Sequence, residues 1–374
     1  MKIFYWCPFL TNVATINAVK NSVSSLKRYK KNIDTKILNS IGEWNFFKKN
    51  DLNLNILNTQ KFNIYSFLPK EGFFQSRFSF LLIFLLNLFP LIKIIKNEKP
   101  NFLIIHLLTI LPIILSPILC KNTKIVLRVS GLPNLNFGRG ILWKLFSKYI
   151  YAVTTPTKLT ADNLIKNNIF DKRKIFLLRD PVINCNLINV KKREDLDEGF
   201  LNDKFYLSIG RLTNQKNFEF LLNSFSKNIS KFNIKKLVIL GEGENYTKLN
   251  RIIKKYSMEK NIFLLGFKKN VYNYIFRSQA IISCSLYEDP GFVLIEASYL
   301  KKKIITSIVK NGPLEMYNTG NLCFFFQKNN ELDLINKIIL SENVNNKAMS
   351  LEALKYSKKF TFFNHYKDLN HLLN

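Results

Sequence analysis

Acidic residues are scarce in this 374-residue sequence, where 26 Asp and Glu stand against 56 Lys and Arg for a net charge of +30 at pH 7. That imbalance excludes an acidic surface and directs the molecule toward a polyanion, either an anionic membrane face or nucleic acid. Many of the lysines lie in Lys/Asn/Ile/Phe-rich stretches such as KNEKPNF and KNNIFDKRKIF. A codon bias toward adenine and thymine produces such stretches without any selection for binding. Cysteine is also sparse. Cys7, Cys120, Cys185, Cys284 and Cys323 form no Cys-x-x-Cys pair and have no neighbouring histidine cluster. Neither a zinc site nor a disulfide framework is suggested, and a reducing compartment fits best. The opening MKIFYWCPFL lacks the long apolar core and cleavage site of a signal peptide, and it reads as a buried strand.

What is abundant is apolar material: hydrophobic residues make up 47% of the chain, with 33 Phe. This excludes a disordered polypeptide and, at this length, supplies two cores rather than one. Short apolar runs alternate with amphipathic stretches: IFYW, FLIIH, IVLRV, YAVTT and KIFLL in the first half, then FYLSIG, LVILG, IFLLG, AIISC and KIITS in the second. That is the βα alternation of a parallel sheet occurring twice, so an α/β protein of two Rossmann-like doubly wound domains is expected. The first domain is expected over 1–183 and the second over 204–345, joined by a polar linker at 184–203. Helices over 346–374 follow and can cross back to the first domain.

One segment, Phe78 to Ile95 (FSFLLIFLLNLFPLIKII), is apolar enough to be compared with a membrane span. Pro90 and Lys93 interrupt it and a strand follows almost at once, which disfavours spanning. Two readings remain: a helix buried against the sheet, or an interfacial helix whose flanking Arg77, Lys93, Lys96 and Lys99 face anionic lipid.

Three motifs in the second half carry chemistry. In FYLSIGRLTNQKNFEFLLNSF a strand ends in Gly210 and a cationic loop precedes a helix. Doubly wound sheets bind ligands at such strand ends, and Arg211 and Lys216 are spaced to clamp one diphosphate, the first by a planar fork and the second as a point charge. Taken alone they are better read as ordinary solvated cations. In LVILGEGENYTKL, Gly241 and Gly243 flank Glu242 after another strand, which is either a ligand contact or a turn needing positive φ. In SLYEDPGFVLIEASYL, Glu288 and Glu296 stand in a Glu-x7-Glu pattern, with Pro290 and Gly291 opening a helix over Phe292 to Tyr299. The amides of Gly291, Phe292, Val293 and Leu294 are expected to point outward and bind phosphate. Glu296 can accept both hydroxyls of a ribose, and Glu288 can reach a sugar. In isolation the two glutamates read as a solvated carboxylate pair.

Together these segments resemble the retaining glycosyltransferases of GT-B fold, whose C-terminal "glycosyl transferases group 1" domain carries GR-x-x-x-x-K and Glu-x7-Glu patterns over a stretch like 204–340. The resemblance implies two Rossmann-like domains facing a central cleft. It implies donor diphosphate binding by Arg211 and Lys216, ribose binding by Glu296, a sugar contact from Glu288, and phosphate support from the amides of Gly291 to Leu294. In LLGFKKNVYNYI, Gly266 and Phe267 look like the family's base-binding strand end. The first half lacks the family's paired-glycine loop, and Thr11 and Asn12 occupy its place. His106 matches a position where relatives place a histidine near the reacting sugar; its plainer reading is a histidine satisfied at the sheet edge. Ser130 and Gly131 look like part of the acceptor-side loop.

The function so implied is transfer of a sugar from a nucleotide-sugar, UDP- in preference to GDP-, with retention. The acceptor is expected to be a saccharide or a polyisoprenyl-diphosphate-linked saccharide in cell-surface polysaccharide synthesis. His106, Glu288, Arg211 and Lys216 are the catalytic candidates. No Asp-x-Asp signature sits at a strand end, so no metal and no cofactor beyond the nucleotide-sugar co-substrate is expected. The expected location is cytoplasmic, peripheral on the inner face of the cell membrane. Rival readings are a sugar-nucleotide epimerase of the same fold and a basic nucleic-acid-binding protein. The second lacks aromatic RNA motifs and recognition-helix patterns, and nucleic acid is not expected as a partner.

Overall fold

The computed structural model describes residues 1–11, 13–50, 54–70, 73–133, 135, 137–196, 203–317, 322–345 and 347–374. The chain divides into two compact units, one of Met1–Pro181 with Phe362–Asn374 and one of Val182–Thr361.

The first unit is built on a seven-stranded parallel sheet: β1 (Lys2–Trp6), β2 (Asp34–Asn39), β3 (Ile56–Asn58), β4 (Phe102–Ile105), β5 (Lys124–Arg128), β6 (Ile150–Thr155) and β7 (Ile175–Leu177). Their order is β3-β2-β1-β4-β5-β6-β7. Successive side chains of β1 point to opposite faces, and both faces are buried. Ile3 and Tyr5 join a core with the Ala14–Tyr29 helix, whereas Phe4 and Trp6 join one with Leu91 and Ile95 of the Phe73–Glu98 helix. Helices on both faces are what a parallel sheet requires, because each crossover lays one down.

The second unit repeats the plan with six parallel strands: β8 (Tyr206–Ile209), β9 (Leu237–Leu240), β10 (Ile262–Leu264), β11 (Ala280–Ser283), β12 (Lys303–Ser307) and β13 (Phe324–Phe326), in the order β10-β9-β8-β11-β12-β13. In each sheet the chain winds outward from its first strand and then returns to that strand's other side. The reversal falls between β1 and β4, and again between β8 and β11. At such a switch point the loops leaving the two strands diverge and open a crevice at the carboxyl edge.

Strands β2, β3 and β13 are additions to the strands expected from sequence. β3 is a three-residue edge strand too short for a period to register, Asp34, Thr35 and Lys36 give β2 a polar start, and β13, the other edge, lies in the apolar run LCFFF.

The expected linker is corrected. Within 184–203 the Asn184 side chain accepts from Leu187 N and caps a helix, Cys185–Lys191, whose Ile188 is buried in the second unit's core. The chain therefore passes between units at Pro181–Val182. One buried residue per two turns is too faint a pattern to separate a short docked helix from a polar linker. The tail is likewise divided: the Lys347–Ser357 helix buries Ala353 in the second unit, and only Phe362–Asn374 belongs to the first.

The Phe362–Leu373 helix is fastened to the Ala14–Tyr29 helix by buried polar contacts. Ser25 Oγ donates to Phe362 O at 2.6 Å, and His365 Nε2 lies 2.8 Å from Ser22 Oγ. His365 Nδ1 is 2.7 Å from Arg179 O, and a carbonyl only accepts, so Nδ1 carries the proton and Nε2 accepts from Ser22. Burial pulls this imidazole down to about 4, and it is neutral at physiological pH.

The apolar Phe78–Ile95 segment is part of one helix, Phe73–Glu98, that runs through Pro90 rather than stopping at it. Proline cannot donate to the carbonyl four residues earlier. That carbonyl, Leu86 O, instead accepts from Gln60 Nε2. One row of the helix, Ser79, Ile83, Asn87, Leu91 and Ile95, is buried; the row Phe74, Phe78, Leu81, Leu85 and Phe89 is exposed. The helix is long and apolar enough to cross a membrane by length and composition. Spanning would expose the polar, buried Ser79 and Asn87 to lipid and strip the packing of the rest of that row.

Candidate functional site

Three loops converge at the carboxyl edge of the second sheet. The loop after β8 carries Arg211 and Lys216 and leads into the Phe218–Asn228 helix. Gly210 leaves room for the Lys216 side chain to fold back over it, since an added Cβ would lie 3.0 Å from Lys216 Cε. The loop after β9 crosses so close that a Cβ on Gly241, at φ +141°, would sit 1.9 Å from Gly210 O. Only glycine meets both conditions, so the turn reading of Gly241 is a steric requirement.

The loop after β11 is tied to the first of these by backbone. Leu286 N donates to Gln215 O at 2.8 Å, and Gln215 Nε2 donates to Tyr287 O at 3.0 Å. Lys216 thereby meets Glu288. Its Nζ lies 2.5 Å from Glu288 Oε1, with the carboxylate side chain only 9% exposed. The sequence reading assigned Lys216 to a diphosphate and Glu288 to a sugar; the structure brings the two together as a half-buried ion pair. Arg211 is exposed, and none of the described residues engages its guanidinium.

Gly291, at φ +95°, precedes the Phe292–Tyr299 helix and turns the chain into it. Leu294 N donates back to Gly291 O at 3.1 Å, which removes Leu294 from the set of outward amides. Gly291, Phe292 and Val293 remain as the amides at the helix start, where the dipole favours an anion.

One turn inside the helix, Glu296 Oε1 accepts from Tyr272 OH at 3.1 Å. Burial pushes this carboxyl up to about 7 against the opposing effect of the tyrosine hydrogen bond. Glu242 and Phe267 also meet: Phe267 N points at Glu242 Oε1 at 3.4 Å, with Gly266 at φ +69° forming the bend and the Phe267 ring exposed. Gly243 follows at φ +157°.

Sequence reasoning missed Gln215, Tyr272 and Ser285. Ser285 left a trace as Ser-x-x-Glu, three residues before Glu288. Tyr272 left none, because its partner lies on another helix.

In the first unit, Thr11 follows β1 and is exposed, and Asn12 lies outside the described residues. Ser130 and Gly131 follow β5, both half-buried. His106 directly follows β4 and is buried beside a small internal cavity lined also by Tyr5, Ser22, Arg128, Asp180 and His365. Arg128 Nη2 pairs with Asp180 Oδ1 at 2.6 Å across this floor. Burial first, then Arg128 and His365, hold the His106 imidazole well below its ordinary range, so it is neutral. Its Nδ1 finds no partner among the described residues, unlike a histidine satisfied at a sheet edge. Among the described residues, no three His, Cys, Asp or Glu side chains group as metal ligands.

A doubly wound unit that presents cations, carboxylates and a helix start at its switch point has the architecture of a nucleotide-binding domain. The family model "Glycosyl transferases group 1" matches residues 191–359. An uncharacterised glycosyltransferase of Methanocaldococcus jannaschii is 30% identical over 246 residues, 61% of this chain and 60% of that protein. The matched region thus spans less than two thirds of that relative. A Campylobacter jejuni protein named N-acetylgalactosamine-N,N'-diacetylbacillosaminyl-diphospho-undecaprenol 4-alpha-N-acetylgalactosaminyltransferase is 26% identical over 250 residues, 64% of this chain and 67% of its own. The crystal structure of Anabaena HepE with UDP and glucose superposes with a TM-score of 0.73 at 13% identity, covering 99% of this chain and 98% of that one. The second unit therefore carries a glycosyl transferases group 1 domain, and the chain as a whole has the GT-B fold.

Proposed function

We propose that the protein transfers a sugar from a nucleotide-sugar to a saccharide or polyisoprenyl-diphosphate-linked saccharide, with retention at the anomeric carbon and without a metal. The observation that carries this is the meeting of Lys216, Glu288 and the start of the Phe292–Tyr299 helix at one switch point, with the exposed Arg211 on the same loop as Lys216. The leaving group is a nucleoside diphosphate. Its developing charge is met by Arg211, Lys216 and the amides of Gly291 to Val293, which are fixed before the reaction begins. Glu296 accepts from the ribose hydroxyls and Glu288 from the transferred sugar. UDP is preferred over GDP on the strength of the HepE neighbour, and the Campylobacter relative's name supports a lipid-diphosphate acceptor in surface polysaccharide synthesis.

Calorimetry with UDP, GDP and a panel of their sugars tests the donor site. One nucleotide series is expected to bind, and Arg211→Ala is expected to weaken it by at least about tenfold, the worth of one bidentate charged contact. Turnover is expected to survive a chelator. Binding of neither series would defeat the proposal, and so would loss of turnover with chelator that is restored by a divalent cation.

The same reading places the enzyme on the inner face of the cell membrane. The exposed apolar row of the Phe73–Glu98 helix, with exposed Lys93, Lys96 and Lys99 near its end, supports this. Sedimentation with anionic vesicles is expected, and a Lys93→Glu/Lys96→Glu protein should partition at least about tenfold less, since each cation contributes about 1 kcal/mol beside such a surface. Indifference of the wild-type protein to anionic vesicles would refute this location.

A further inference from the structure

Glu288 is held by two side chains, and both act on the same oxygen. Ser285 Oγ donates to Glu288 Oε1 at 2.6 Å, and Lys216 Nζ reaches that atom at 2.5 Å. Glu288 Oε2 accepts no hydrogen bond from the described residues. Behind Ser285 stands a second serine: Ser307, at the end of β12, donates its Oγ to Ser285 O at 2.6 Å. Ser285 and Ser307 are 2% and 1% exposed. Ser283 Oγ lies 3.3 Å from Ser285 Oγ on the remaining side.

We propose that Ser285 is a positioning residue for the donor sugar, holding Glu288 by one oxygen so that the other is presented to a hydroxyl of the transferred sugar. The inference rests on reading Glu288 as the sugar contact. When a diphosphate arrives it competes with Glu288 for Lys216. A carboxylate released by its cation would rotate about its side-chain torsions and lose its aim. Ser285 is neutral and buried, so a diphosphate does not attract it away, and it keeps Oε1 engaged while Lys216 turns to the phosphates. Ser307 fixes the backbone of Ser285 from the neighbouring strand, so the aim of Glu288 is set by the sheet rather than by the loop alone.

The test compares the affinity for a free nucleotide with the affinity for its sugar, using UDP with UDP-glucose, UDP-galactose and their N-acetyl forms, and GDP with GDP-mannose. Ser285→Ala is expected to leave nucleotide binding within about twofold and to weaken the nucleotide-sugar by about tenfold, the worth of one hydrogen bond to a charged group. Ser285→Thr, which keeps the hydroxyl, is expected to recover most of the loss. Ser307→Ala, one step further out, should lose about threefold on the sugar alone. If Ser285→Ala weakens nucleotide and nucleotide-sugar equally, or weakens neither, the positioning role is wrong. If Glu288→Gln itself binds the nucleotide-sugar as the wild type does, the reading of Glu288 fails first and the positioning role falls with it.

Discussion

A Lys216→Met protein is expected to lose about a hundredfold or more in kcat/KM and to unfold its second unit at lower urea. The catalytic loss follows from removing a fixed cation from the departing diphosphate, a contact of the kind worth about 10²–10³-fold in turnover. The stability loss has a separate origin. Glu288 is nearly buried, its pair with Lys216 is 2.5 Å long, and the lysine side chain is itself only 19% exposed. Removing one partner leaves the other as an uncompensated buried charge, at a cost of about 3–5 kcal/mol.

The two effects are separable. Adding Glu288→Gln to Lys216→Met removes the orphaned charge, so the double variant should regain most of the stability and none of the turnover. Arg211→Ala, at an exposed position that no described residue engages, should cost turnover with almost no change in unfolding. Kinetics with the preferred nucleotide-sugar, read beside urea unfolding of each protein, checks all three variants against the wild type. Undiminished turnover in Lys216→Met would remove the diphosphate role. A double variant no more stable than the single one would remove the ion-pair account.

Glu296 gives the second large effect, and it depends on pH. Its carboxyl is pushed up to about 7 in the folded protein, chiefly by burial. An acid raised in the folded state favours the neutral form there. Below the ordinary glutamate range both folded and unfolded chains are protonated and nothing is lost. As pH rises toward 7 the unfolded chain ionises first, and the second unit loses stability across that window. Binding runs the opposite way, because the ionised carboxylate is the form that accepts from both ribose hydroxyls. At pH 6 about a tenth of the sites are ionised against about nine tenths at pH 8, so donor affinity should be about tenfold weaker at pH 6. A nucleotide-sugar is the right probe, since its diphosphate does not titrate in this window. Glu296→Gln should bind weakly with a flat profile, and it should be more stable than the wild type at pH 8. Equal wild-type affinity at pH 6 and pH 8 would remove Glu296 from the ribose site.

Much of this site was legible in the chain because its geometry is local. Gly291 and the Phe292–Tyr299 helix are contiguous, so one stretch of residues determines where the helix begins and which amides lie at its start. The parallel sheets were legible for a related reason: a strand buried on both faces needs an unbroken apolar run, and β1, β4 and β9 have one. Where burial is partial the run is short and β3 left no trace, whereas β13 lies in the apolar run LCFFF and was overlooked.

The tertiary structure decided what depends on contacts between distant segments. Lys216 and Glu288 are 72 residues apart, and the chain cannot announce that they form a pair until β8 and β11 lie side by side. The same holds for Tyr272 on Glu296 and for Ser307 behind Ser285. Gln60 closing the gap left by Pro90 converts an apparent interruption into a continuous helix, and its buried and exposed rows follow from which side meets the sheet. The sequence by itself determined the strand–helix alternation, the cationic loop and the helix start, because propensity, burial period and capping act over a few neighbours. Which oxygen of Glu288 is engaged, how far Glu296 is desolvated and where the chain passes from one unit to the other were decided only by packing, because each depends on residues brought together from across the fold.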